Sequence, residues 1–360
     1  MSYQIGIDTI HLRPTPRLAH TDYCSNDALM RYLEANPSVL GPADQQTTAA
    51  TGVSPALARP FADAWEMDFI WSINDGPLDW SQRGRTTDMG HADFLEGGVD
   101  RRQPKTCPFH SVEEVWAFDA VQEYGLMDFA ELVAFYEKAY HAGQAANPNQ
   151  VFTGGTYKTI VSGAIESFGW DLLLEAASDQ PKFEKVLDSY FRLNLQKYQA
   201  WAKTSVEVLI CHDDMVWTEG PFMDPAFYRR VIFPRYAELW KQVRSVGKKL
   251  LYCSDGNFTP FIDDVFAAGA DGIIFEPVTD LDYICGNYGK TKVIVGSKLD
   301  CRTLTFGTRA QIQAEIDATL KLALNCPGFM FAVGNHIPSN LPVENALFYF
   351  DYLRKHWARS

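Results

Sequence analysis

The sequence predicts an α/β fold, a single (β/α)8 TIM barrel with an N-terminal capping extension. Three observations lead there: eight short β-rich runs recur along the chain, several are almost unbroken in apolar character, and stretches with helical spacing separate them. Strands covered on both faces read as unbroken apolar runs. Strand alternating with helix gives a parallel sheet, which eight such units can close into a ring. An open doubly wound sheet is the alternative arrangement of the same units.

The first two runs are LAHTDY (18–23) and FIWSI (69–73). A long excursion over 77–150, rich in Asp, Gly, Trp and His, follows, and it is expected to cap the barrel within one domain spanning 1–360. VFTGG (151–155) and VEVLI (206–210) flank PKFEKVLDSYFRLNLQKYQAWA, a helix opened by Pro181, which suits a first helical turn. Before KLLYC (249–253) lies PAFYRRVIFPRYAELWKQVRSVG, a helix interrupted at Pro234 and stopped at Gly247. GIIFE (272–276), KVIVG (292–296) and GFMFAVG (328–334) complete the set, with PFIDDVFAAGADG and TRAQIQAEIDATLKLAL as helices among them.

Composition narrows the function. The chain has 360 residues, 46% of them hydrophobic and 13% aromatic, and a formal net charge of −13 with no Lys/Arg run. That field repels phosphate backbones and anionic lipid, so neither nucleic acid nor a membrane surface is an expected partner. No stretch of about 20 apolar residues is present to span a bilayer, and the first residues, MSYQIGIDTIHLRP, lack the basic and apolar blocks of a signal peptide. Seven scattered cysteines without a CxxC pair predict reduced thiols in a cytoplasmic enzyme.

In a barrel of this kind the reactive groups collect at the C-terminal strand ends. Those ends carry Cys211, His212, Asp213 and Asp214; Cys253 and Asp255; Glu276; Lys298 and Asp300; Asn335 and His336; Thr156 and Tyr157; and His20, Asp22 and Tyr23. Packing alone would be content with small polar residues there. Asp213, Asp214, Asp255 and Glu276 are the candidate acids or ligands, and Tyr157, Lys298, Trp71 and Asn335 the candidate substrate contacts. Some have bland readings: Asp213 and Asp214 as a helix cap with a solvated neighbour, Asp255-Gly256 as a turn pair, Cys253 as a buried core thiol, His336 as a capping or solvent-facing residue. Glu276 ends an apolar strand and calls for a partner, for which Lys298 is the candidate. Cys253, Asp255 and His336 together offer the sulfur, oxygen and nitrogen that zinc accepts.

GPFMDPAFYRRVIFPRYAELW, GKKLLYCSDGNFTPFIDDVFAAGADGIIFEP, VGSKLDCRTLTFGT and FMFAVGNHIPSNLPVENA, with FTGGTYKTIVSGAIESFGWD before them, resemble the C-terminal half of the uroporphyrinogen decarboxylase superfamily. The resemblance implies a (β/α)8 barrel and one of two activities, cofactor-free decarboxylation or methyl transfer with corrinoid proteins. Decarboxylase markers are not matched. The Arg-rich RQAGRYLPEYR element has no counterpart in HTDYCSNDALMRYLEANP, the FSD segment aligns with WSI and puts Ile73 at the acid, and the late GHG histidine aligns with Asn335. Relatives that methylate coenzyme M carry a zinc-binding H-x-C and a later Cys, which align here with Cys253, Asp255 and Asn335, so the thiolate set is absent.

The resemblance therefore implies the substrate-side methyltransferase of a corrinoid system, moving a methyl group from a small methoxylated compound to the cobalt of a corrinoid protein, as in anaerobic O-demethylation. Trp65, Phe69, Trp71 and Trp80 suit an aromatic ether, or equally form core and lid. A cofactor-independent decarboxylase of another acid is the alternative. Zinc as Lewis acid and a homodimeric assembly are further expectations of the resemblance.

Overall fold

The computed structural model describes residues 2–36, 61–87 and 106–359. Eight parallel strands form its staves: β1 (Ala19–His20), β2 (Phe69–Ile70), β3 (Val151–Phe152, resuming as Gly154–Thr156), β4 (Val208–His212), β5 (Lys249–Ser254), β6 (Gly272–Phe275), β7 (Val293–Gly296) and β8 (Phe329–Phe331). All eight fall inside or against the predicted runs, and the ring order excludes the doubly wound alternative. Parallel ladders join β3 to β4, β4 to β5, and so on through β8, which pairs with β1. β2 pairs with β3 in a separate small ladder.

No ladder joins β1 to β2. The Asp68 N–H donates to the His20 carbonyl at 2.8 Å, the Thr21 hydroxyl to the Phe69 carbonyl at 2.7 Å, and the His20 N–H to the Asp68 carboxylate at 2.9 Å. Thr153 does the same at the break in β3, where its hydroxyl donates to the Ile70 or Ser72 carbonyl and accepts from the Ser72 N–H. Side chains standing in for ladder bonds are the reason β1 and β2 are shorter than the sequence suggests.

Period-two alternation sorts each strand's residues between two cores. Ala19, Phe69, Val151, Val208, Ile210, Leu251, Cys253, Ile274, Val293, Val295, Met330 and Ala332 fill the barrel interior. Leu209, Cys211, Leu250, Tyr252, Ile273, Phe275 and Ile294 face outward into the larger layer between strands and helices. The N-terminal helix α1 (Ser2–Ile10) closes the floor, adding Ile7 and Ile10 to the interior cluster. It lies so near β2 that a Cβ on Gly6 would stand 2.2 Å from the Asp68 carbonyl oxygen.

The outer helices start and stop as their sequences dictate. Asp179 caps helix Gln180–Trp201, with Pro181 in its first turn. A π-helical turn over Tyr228–Ile232 precedes helix Phe233–Arg244. Pro234 lacks the N–H that a continuous α-ladder needs, so the predicted interruption takes this form. Helices Trp80–Arg83, Val112–Trp116, Ala120–Tyr124 and Phe129–Ala146 occupy the predicted 77–150 excursion, whose residues 88–105 lie outside the described residues. Among the described residues no helix is long and apolar enough to cross a membrane.

Candidate functional site

Alternation decides which strand-end groups reach the barrel mouth. In β4, Val208 and Ile210 point inward and His212 continues that series, while Leu209 and Cys211 point outward and Asp213 follows them. In β5 the inward series is Leu251, Cys253 and then Asp255. Adjacent strands therefore bring His212 and Asp255 together over the same interior.

Asp213, expected among the catalytic acids, has another task. Its carboxylate is fully buried and accepts the backbone N–H groups of Ile160, Val161 and Ser162 at 2.6–3.1 Å, and the Tyr236 hydroxyl at 2.7 Å. It caps helix Val161–Ala176, whose free N–H groups and dipole favour a negative charge. Burial pushes its carboxyl upward, while the same hydrogen bonds oppose that rise. With both oxygens engaged, Asp213 ties a helix to β4.

Asp214 turns back over the mouth. Its Oδ1 lies 3.1 Å from His212 Nε2 and accepts the Asp255 N–H at 2.9 Å, and its Oδ2 accepts the Tyr157 hydroxyl at 3.2 Å. The Asp214 N–H donates to the Ser162 hydroxyl at 2.8 Å, which fixes the backbone. Tyr157 also stands edge-on to the His212 ring, centroids 4.8 Å apart. Burial raises the Tyr157 pKa and the Asp214 charge raises it further, so the phenol stays a donor. Burial alone would lower the pKa of His212, yet neighbouring Cys253 and the Asp214 carboxylate raise it well above the ordinary histidine value. Burial also pushes the Cys253 thiol up, while the neighbouring His212 opposes that rise.

One ligand atom each from His212, Asp214 and Asp255 lies within 4.8 Å of the others. One imidazole nitrogen and two carboxylate oxygens suit a borderline or hard divalent cation. The Tyr157 hydrogen bond would orient the Asp214 carboxylate toward such an ion. The predicted ligand set of Cys253, Asp255 and His336 is corrected here. Asp255 is part of the cluster, and Cys253 lies one inward position below it. His336 sits elsewhere, beside Asn335, its ring centroid 6.3 Å from that of Tyr23.

Glu276 and Asn335 extend the mouth beside Asp255. Glu276 accepts the Gly256 N–H at 2.6 Å and the Asn335 side-chain amide at 2.8 Å. Gly256 has φ +79°, and a Cβ there would stand 2.7 Å from the Trp217 carbonyl oxygen, so only glycine fits where β5 passes under hairpin Val216–Pro221. Asn335 is itself left-handed at φ 67°, held there by Glu276 and His336. A small solvent-open cleft adjoins this pair, with Thr218, Pro277, Asp300, Arg302 and Phe306 on its walls.

Lys298 is not the partner of Glu276. It falls on the outward side of β7's extension and its ammonium pairs with Asp282 on the surface. Trp71 does reach inward, packed against the interior cluster, and its indole N–H has no acceptor among the described residues. The other tryptophans are structural: Trp65 stacks on Phe350 and donates to Asp22, and Trp80 stacks on Tyr124. Sequence reasoning noted His212 at its strand end without choosing it. Counting alternate residues from Val208 would have selected it over Asp213.

Comparison with known proteins bears on the fold and the family. The sequence model of the family described as uroporphyrinogen decarboxylase (URO-D) matches residues 155–356, more than half of the chain. A methyltransferase from Methanosarcina mazei has a similar structure over 99% of this chain and 99% of its own, with 17% identity and a TM-score of 0.61. A B12-independent methionine synthase from Shewanella sp. W3-18-1 covers 63% of this chain and 64% of its own, with 12% identity and a TM-score of 0.38. No curated protein gives a significant sequence match. The full-length structural likeness extends the barrel to the N-terminal strands, and the family match spans β4 to β8 and the end of β3, so this chain belongs to the uroporphyrinogen decarboxylase family.

Proposed function

We propose that this protein is a methyltransferase that moves a methyl group from a small methoxylated, aromatic compound to the cobalt of a separate corrinoid protein. The observation that carries the reading is the convergence of His212, Asp214 and Asp255 at the barrel mouth. The full-length structural likeness to the Methanosarcina mazei methyltransferase supports it.

Breaking an aryl–O–CH3 bond leaves a phenolate, which must be protonated or stabilised as the methyl group departs. A divalent cation such as zinc, held by His212, Asp214 and Asp255, would supply Lewis acidity to that oxygen. The chain's own residues do the rest. Tyr157 and the Asp255 N–H fix Asp214 so that its carboxylate needs no reorientation during reaction. Trp71 offers an apolar face and an unengaged N–H inside the barrel. The Glu276–Asn335 pair holds the wall of the adjoining cleft.

The test uses protein purified without chelators, supplied with a methoxybenzene and a reduced corrinoid protein. Methyl transfer followed by cobalt absorbance, dependent on both partners and lost in His212→Ala together with near-stoichiometric metal, supports the reading. Carbon dioxide released from a carboxylic acid without corrinoid would overturn it in favour of the decarboxylase alternative.

A further inference from the structure

The cluster at the mouth leans on one short turn, residues 157–160, which leads from β3 into helix Val161–Ala176. From this turn the Tyr157 hydroxyl reaches the Asp214 carboxylate, and the Thr159 hydroxyl donates to the His212 carbonyl at 3.0 Å or to the Tyr157 carbonyl at 3.2 Å. The Ser162 hydroxyl, just past the turn, accepts the Asp214 N–H. A shift of the turn would therefore carry the Asp214 carboxylate with it.

The turn is held from two other elements. Past the end of β2 the Asn74 N–H donates to the Gly155 carbonyl at 2.9 Å, and the Asn74 side chain accepts the Gly76 N–H at 3.0 Å. That Asx turn sets Asp75 against the start of the 157–160 segment. There its Oδ1 accepts the Tyr157 and Lys158 N–H groups, both at 2.9 Å. Such charge-assisted bonds are the stronger kind. The same oxygen lies 3.6 Å from the buried ammonium of Lys197 in helix Gln180–Trp201, which has no hydrogen-bond acceptor among the described residues. Burial lowers the Lys197 pKa, and the Asp75 carboxylate opposes that fall. Asn194, on the same helix, donates its amide to the Thr159 carbonyl at 3.2 Å, so this helix and the extension of β2 both grip the turn.

We propose that Asp75, paired with Lys197, is a positioning residue for the metal cluster: by fixing the Tyr157 and Lys158 backbone it aims the Tyr157 hydroxyl at Asp214. The inference rests on the metal-assisted reading above and extends it to a residue outside the His212, Asp214 and Asp255 set. A carboxylate that only stabilised the fold would be indifferent to what Tyr157 does, whereas a positioning one acts through it. Loss of Asp75 and loss of the Tyr157 hydroxyl should therefore not add. The two tasks of the carboxylate also separate. Accepting two N–H groups needs an oxygen, which an amide supplies as well, while the negative charge is needed only opposite Lys197.

The experiment titrates full-length protein with zinc against a chromogenic chelator and reads the visible spectrum of protein loaded with cobalt(II) ion. Asp75→Ala combined with Lys197→Met removes both charges, so no unpaired ammonium is left buried. This pair is expected to weaken zinc binding about 10–100-fold and to alter the cobalt(II) spectrum. Asp75→Asn, whose amide oxygen can accept both N–H groups, should stay within a few-fold of wild type. Adding Tyr157→Phe to the pair should cost little beyond the pair itself. If the pair is poorly folded by circular dichroism, Asp75→Glu decides: it keeps the charge, misplaces the oxygen, and should weaken zinc binding at least about tenfold. Unchanged zinc binding in the pair or in Asp75→Glu, an Asp75→Asn protein as weak as the pair, or a full further loss on adding Tyr157→Phe would each overturn the proposal. A wild type that binds no zinc would instead overturn the metal-assisted reading, and this inference with it.

Discussion

The floor and the mouth of this barrel are made from the same eight strands, yet they are built on opposite principles. At the floor, Ile7 and Ile10 of α1 meet Val151, Val208 and Val293 in a dry aliphatic cluster. At the mouth, the same inward rows end in His212, Asp255 and Glu276, each held by hydrogen bonds or neighbouring charge. The floor gains stability from burying apolar area, whereas the mouth keeps ionisable groups close together against their own repulsion. The difference teaches that position along one inward row, more than the choice of strand, separates folding from chemistry here.

The sharpest way to test that separation is at the mouth. His212→Ala should lower methyl-transfer turnover by about a thousandfold, about 4 kcal/mol, with little change in melting temperature. Steady-state rates with metal content and a thermal melt check both halves. Asp213→Ala, one residue away and facing outward, should do the reverse. It leaves three backbone N–H groups and the Tyr236 hydroxyl without their acceptor, costing about 3–4 kcal/mol in denaturant unfolding. Metal bound per folded molecule should hold steady.

At the floor, Ile10→Ala removes a fully buried side chain and should cost about 3 kcal/mol, again with normal metal binding. A variant that lost metal would break the comparison. Tyr157→Phe removes one hydroxyl that orients Asp214 and should weaken metal affinity about 10–100-fold, measured by competition with a chromogenic chelator. Lys298→Ala breaks only a surface pair with Asp282. It should shift stability by no more than about 0.5 kcal/mol and leave turnover unchanged.

Much of this architecture is legible in the residues. The unbroken runs VEVLI and KVIVG, the opening Pro181 and the stop at Gly247 each follow from local chemistry, and the structure has them at β4, β7 and the ends of two helices. The site was legible only by neighbourhood. Asp255, Asp214 and Tyr157 were named from their place after a strand, but so was Asp213, because its role depends on which way β4 faces and on a helix start fifty residues earlier. Glu276 was rightly expected to need a partner, yet the partners are an amide from the hairpin-covered turn and the side chain of Asn335, both distant in sequence. Lys298 was a plausible guess by charge and fails by direction.

The seam between β1 and β2 has a consequence for how the molecule breathes. Every other joint of the ring is a backbone ladder, but this one rests on Asp68, Thr21 and a single amide bond. A ring loosens first where its closure is held by the fewest parallel links. The joint that parts first is therefore the one between β1 and β2, while β1 keeps its ladder to β8 and the strands that carry His212, Asp255 and Glu276 stay zipped. Like a bracelet whose clasp lies opposite its stone, the barrel can open without disturbing what it holds.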